Sequence, residues 1–94
     1  MTIHEAQRKY RISASTSPEW LETGWRTVLT FGDKVLLAGY CYNGEDHPSY
    51  FGAVYEFLTD DHSCEGEIVL KAASNLELFD NGHAIQWAIQ EASK

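Results

Sequence analysis

Ninety-four residues, 44% of them hydrophobic and 13% aromatic, suffice for one core and so for one domain, residues 1–94, with no compositional sign of disorder. The formal net charge of −7 argues against direct binding to nucleic acid or to an anionic membrane, since both need clustered lysine and arginine. There is no run of about 18 apolar residues and the N-terminus is polar, so the expectation is a cytoplasmic chain with neither transmembrane helix nor signal peptide.

Along the chain, Thr2 and Glu5 have capping-box spacing for a short helical start, and Tyr10, Ile12 and Ala14 alternate with polar residues, which predicts a strand over 8–14. Ser17-Pro18-Glu19 forms a helix start, with a hydrogen-bond-accepting cap, a proline at the first position and an acid in the first turn. Gly24 would close this helix over 18–23. Residues 25–31 are rich in aromatic and β-branched side chains and predict a strand. The Gly32-Asp33 turn joins it to a second over 34–42, making a hairpin. The run Val35-Leu36-Leu37-Ala38 is apolar without alternation, which calls for cover on both faces of the sheet.

A loop over 43–49 leads to a strand over 50–58. A polar loop over 59–66 leads to a last strand over 67–72. Asp80 is placed to cap a C-terminal helix to Lys94, in which Ala84, Ile85, Ala88, Ile89 and Ala92 recur at intervals of three and four and form one apolar stripe. Trp87 lies off that stripe, which marks it either as an edge-packing residue or as an exposed anchor for a partner. The elements sum to an α+β fold: a small, mainly antiparallel sheet of about four strands with the C-terminal helix packed on one face.

Charge is segregated along this chain. Residues 1–34 carry five basic and four acidic side chains, residues 35–94 two basic and ten acidic. From Val35 to Leu70 there is no lysine or arginine, against seven acids: Glu45, Asp46, Glu56, Asp60, Asp61, Glu65 and Glu67. A solubility coat mixes both signs, whereas segregation builds a negative field.

Catalytic patterns are weak by comparison. Asp60, Asp61, His62 and Cys64 include metal-ligand types, but no Cys-x-x-Cys or His-x-x-x-His spacing accompanies them. The acids around Cys64 disfavour a thiolate, so a Cys–His nucleophile is unsupported. The seven glycines are scattered and form no phosphate-binding loop. Two cysteines, Cys41 and Cys64, are too few for a disulfide framework.

The expectation is therefore a binding protein, not an enzyme, with no cofactor and no metal. Its partner would be a basic, nucleic-acid-handling protein that it occupies and inhibits, as a phage inhibitor of a host defence complex (an anti-CRISPR or anti-restriction protein) does. An immunity protein against a nuclease toxin is the alternative setting. Glu45, Asp46, Asp60, Asp61, Glu65 and Glu67 are the expected contact residues, with Tyr50 and Trp87 as aromatic anchors. Two readings from other classes stand beside it: an accessory subunit that forms a homodimer through a sheet edge or apolar patch, and a small metalloprotein using His62 and Cys64.

Overall fold

A five-stranded antiparallel sheet in the order β1-β5-β4-β3-β2 forms the body of the protein in a computed structural model that describes residues 5, 7, 8, 12, 14–21, 26–41, 48–74 and 78–94. The elements are β1 (Ser15–Thr16), the helix α1 (Pro18–Leu21), β2 (Arg26–Phe31), β3 (Lys34–Cys41), β4 (Ser49–Phe57), β5 (Ile68–Ala73) and the helix α2 (Asn81–Ala92). The α+β class, the central hairpin and the C-terminal helix agree with the sequence reading. The sheet has one strand more than expected. The first strand is Ser15–Thr16, where two residues pair with Val69 and Ile68 along the outer edge of β5; of the strand predicted over 8–14, residues 9–11 and 13 lie outside the described residues. Ile12 enters the core.

The β2–β3 turn works because Gly32 takes a positive φ of 64° that other residues resist. Strand β3 is covered on both faces, as its unbroken apolar run requires. On one face Val35 and Leu37 join Phe51, Ala53, Tyr55, Phe57, Ile68 and Leu70, with Ile12 and Leu21 of the N-terminal segment closing over them. On the other, Leu36 and Val54 meet Ala88 and Ala92 of α2. A bulge separates Val54↔Ala72 from Tyr55↔Leu70, which leaves Lys71 as the extra residue, exposed to solvent.

Helix α2 starts as the sequence predicts. The Asp80 carboxylate accepts from the His83 amide at 2.7 Å, and His83 Nδ1 in return accepts from the Phe79 amide at 3.0 Å. Its buried face differs from the predicted stripe. Ala84, Ala88 and Ala92 are buried, but Ile89 is 38% exposed, and Trp87 is half-buried against the Leu36 and Val54 cluster. The alanines let the helix backbone approach the sheet closely, and Gly52 opens a slot that the Trp87 ring fills. The helix is thus rolled toward the indole, and the isoleucines flank the contact instead of centring it.

Tyr55 is fully buried, and burial pushes its phenol up to about 12, against an opposing pull from the Arg26 charge. An unfolded tyrosine ionises near about pH 10. Between about pH 10 and 12 the unfolded chain therefore gives up a proton that the folded chain retains, and stability falls by about 2–3 kcal/mol across that window. Tyr55→Phe is expected to flatten this part of the alkaline stability profile in urea titrations. Parallel profiles for the two proteins would exclude Tyr55 as its source.

Candidate acidic docking site

The loop between β4 and β5 gathers four of the predicted contact acids. Its base is closed by the Leu58 amide donating to the Glu67 carbonyl at 2.9 Å, and Gly66 N–H donates to the Ser63 carbonyl at 3.0 Å. Short polar side chains hold the turn between. Thr59 Oγ1 accepts from the Asp61 amide, Asp61 Oδ1 from the Ser63 amide at 3.2 Å, and Ser63 Oγ from the Glu65 amide. Hydrogen bonds from the Ser63 side chain and amide keep the Asp61 carboxyl below its ordinary range, so it stays charged. From Leu58 to Glu67 the loop contains no lysine or arginine. Among the described residues none forms a salt bridge with Asp60, Asp61, Glu65 or Glu67.

Helix α1 is docked beside this loop. The Glu19 amide donates to the Cys64 carbonyl at 2.9 Å. Pro18 and Leu21, three apart, turn inward, so Glu19 and Trp20 point outward. Trp20 is left 78% exposed. Between the two segments lies an open cleft of about 310 Å³ lined by Ser15, Thr16, Ser17, Trp20, Glu65 and Glu67. Ser15 Oγ donates to Glu67 Oε1 at 3.4 Å across it. The β2–β3 turn is tied to this end by the Phe57 amide donating to the Asp33 carbonyl. There Lys34 is already engaged by Asp33 and Glu56, 3.4 Å from each.

The family model of nucleotide modification associated domain 4 (Nmad4) matches residues 12–92, a span that takes in β1 to β5, α1 and α2. The chain belongs to the nucleotide modification associated domain 4 family. Comparison with curated proteins and with solved structures returns no match. The region shared with the Nmad4 family includes both walls of the cleft, the β4–β5 loop and α1.

In this Nmad4 domain the predicted residues do not all converge. Asp60, Asp61, Glu65 and Glu67 share one loop, although Glu65 sits in its turn and not in a strand, because β5 begins only at Ile68. Tyr50 lies at the opposite end of β4, about 25 Å of strand away, beside Tyr40 with ring centroids 5.8 Å apart. Trp87 packs over Gly52 on the α2 face. Glu45 and Asp46 fall outside the described residues. Trp20 is the site residue that sequence reasoning missed. Its signal was present, since Pro18 and Leu21 on the inner face of a single turn force residue 20 outward.

A second, smaller cleft of about 150 Å³ lies on the other side of α1, lined by Pro18, Val28, Thr30, His62, Ser63 and Cys64. The His62 ring stacks on Phe57, with centroids 4.6 Å apart and planes 18° from parallel. Cys64 is an exposed free thiol. Among the described residues no three His, Cys, Asp or Glu side chains come together in a way that could hold a metal ion. Nor is any helix among them long and apolar enough to cross a membrane.

Proposed function

We propose that this chain is a non-enzymatic binding module of a nucleotide-modification system, and that its acidic end occupies a lysine- and arginine-lined groove on a nucleic-acid-handling protein. The observation that carries this reading is that Asp60, Asp61, Glu65 and Glu67 share one loop, with Glu65 and Glu67 lining a cleft beside an exposed indole and no described cation pairing the four. Carboxylates steer association with a basic partner, and an exposed tryptophan beside them supplies apolar contact and a face on which an arginine can stack. The family description supports a setting in nucleotide modification. Occupying such a groove excludes nucleic acid from it, so the module acts as an inhibitor or regulator of its partner. Inhibition of a host defence complex and immunity to a nuclease toxin are two settings with the same physics.

The test is affinity capture from the source cells, followed by kinetics on the captured protein. The expected partner is basic, and nucleic acid competes with this chain for it. The Asp60→Lys/Asp61→Lys double variant is expected to slow association about tenfold or more at low salt, with the difference shrinking as salt rises. Trp20→Ala is expected to leave association nearly unchanged and speed dissociation about tenfold or more. A partner bound equally well by the charge-reversed chain would remove the loop from the mechanism.

A further inference from the structure

The sheet has two outer edges, and they are built differently. One is capped by β1, two residues long, with Glu67 held at its side by Ser15. The other is β2, six residues long, paired along β3 only. Among the described residues nothing pairs with its outer side. Proteins commonly protect such an edge with lysine, proline, a bulge or an inward charge. Arg26 at the start of the strand is a half-buried charge, but from Thr27 to Phe31 the strand has none of these, and Leu29 and Phe31 stand 44% and 43% exposed.

Their position relative to α2 extends the apolar surface. Leu29 is the cross-strand partner of Leu36, which packs under Ala88 and Ala92, so Leu29 and Phe31 lie on the α2 face of the sheet. Trp87 lies over Gly52 of β4, and Ala72 of β5 packs against the same buried cluster. Ile85 and Ile89 occupy the other flank of the helix, toward β2. Asn81 Nδ2 donating to Thr27 Oγ1 at 3.3 Å ties the start of α2 to the same strand.

We infer that the β2 edge pairs antiparallel with the β2 edge of a second copy of this chain, giving a continuous ten-stranded sheet across a two-fold axis. Three observations select a second copy. A strand edge is self-complementary under a two-fold axis, as an isologous contact requires. In a chain of net charge −7, copies repel through most surfaces, and this uncharged stretch is where they can approach. Register adds apolar complementarity. With Leu29 opposite Leu29 of the second copy, the two exposed leucines meet at the axis. The same register sets Thr27 opposite Phe31 and draws both pairs of Leu29 and Phe31 into one stripe. The contact is smaller than a standard interface of about 800 Å² per partner, so monomer and dimer are in exchange.

The experiment is sedimentation of the full chain from about 10 µM to about 1 mM, with amide hydrogen exchange at both ends of that range. The weight-average mass is expected to climb toward twice the monomer value, and β2 amides to gain protection about tenfold or more with concentration. Leu29→Lys and, separately, Phe31→Lys are expected to remain monomeric at the highest concentration while their circular dichroism and melting show a folded chain. Asp60→Lys/Asp61→Lys should dimerise like the unaltered protein, which keeps this result separate from the docking of a basic partner. A wild-type mass that stays monomeric throughout, or a dimer that survives in both folded lysine variants, overturns the proposal. So does protection gained at an element other than β2.

Discussion

Gly66→Ala is expected to be among the most damaging single substitutions in this protein, lowering stability by about 3 kcal/mol or more. A Cβ at this position would clash with the main-chain oxygen of Asp61 and lie 3.1 Å from the Phe57 ring. The first contact is with backbone, which cannot rotate away. Relief therefore requires the Asp61–Gly66 turn to open, with loss of the Gly66 to Ser63 hydrogen bond. For a domain of this size the cost corresponds to a fall in melting temperature of about 12–20 °C. Urea unfolding would register it as a lower midpoint, and limited proteolysis would show new cleavage in the β4–β5 loop. A variant with an unchanged midpoint would mean that the turn is not built as described. Because that turn carries Asp61 and Glu65, the docking proposed above should weaken with it. Gly32 offers the contrast: a Cβ there meets nothing within 4 Å. Gly32→Asn should cost well under about 1 kcal/mol, since asparagine tolerates the left-handed region.

Gly52→Ala is expected to cost about 2–3 kcal/mol by lifting α2 from the sheet. Its Cβ would lie 2.8 Å from the Ala84 carbonyl oxygen and 2.8 Å from Cε3 of Trp87. The two contacts have different remedies, because the indole can be removed by mutation and the helix carbonyl cannot. In a Trp87→Ala background, Gly52→Ala should therefore retain a substantial part of its cost, measured as a double-mutant cycle by urea unfolding. If the cost vanishes in that background, the close approach of helix and strand is wrong and only the ring was in the way. Gly52 is further locked by two hydrogen bonds with Ser74, its amide donating to Ser74 Oγ and its carbonyl accepting from the Ser74 amide, both at 2.8 Å.

Much of the architecture was legible because local signals agreed with the tertiary outcome. The Gly32-Asp33 turn between two β-prone runs could hardly be anything but a hairpin, and Asp80 with its downstream periodicity marked α2. The unbroken apolar run at Val35–Ala38 correctly required cover on both faces. Other features were not legible, for identifiable reasons. Strand β1 is two polar residues, Ser15 and Thr16, whose pairing is decided by Val69 and Ile68 more than fifty positions away. The roll of α2 toward Trp87 depends on a vacancy above Gly52, which belongs to another element and leaves no mark in the helix's own periodicity. At the candidate site, the loop acids were visible as composition, but the cleft they form with Trp20 depends on the Glu19 amide reaching the Cys64 carbonyl.

By itself, the order of residues determined the element types, the hairpin, the helix cap and the excess of carboxylate in the second half, because each of these depends on neighbours within about one or two turns of chain. Only the tertiary structure decided which carboxylates share a surface, that Trp20 is exposed and which strand is left at the edge. Those outcomes come from contacts between distant segments, where a missing Cβ or one main-chain hydrogen bond sets how closely two elements approach, and no local pattern encodes that distance.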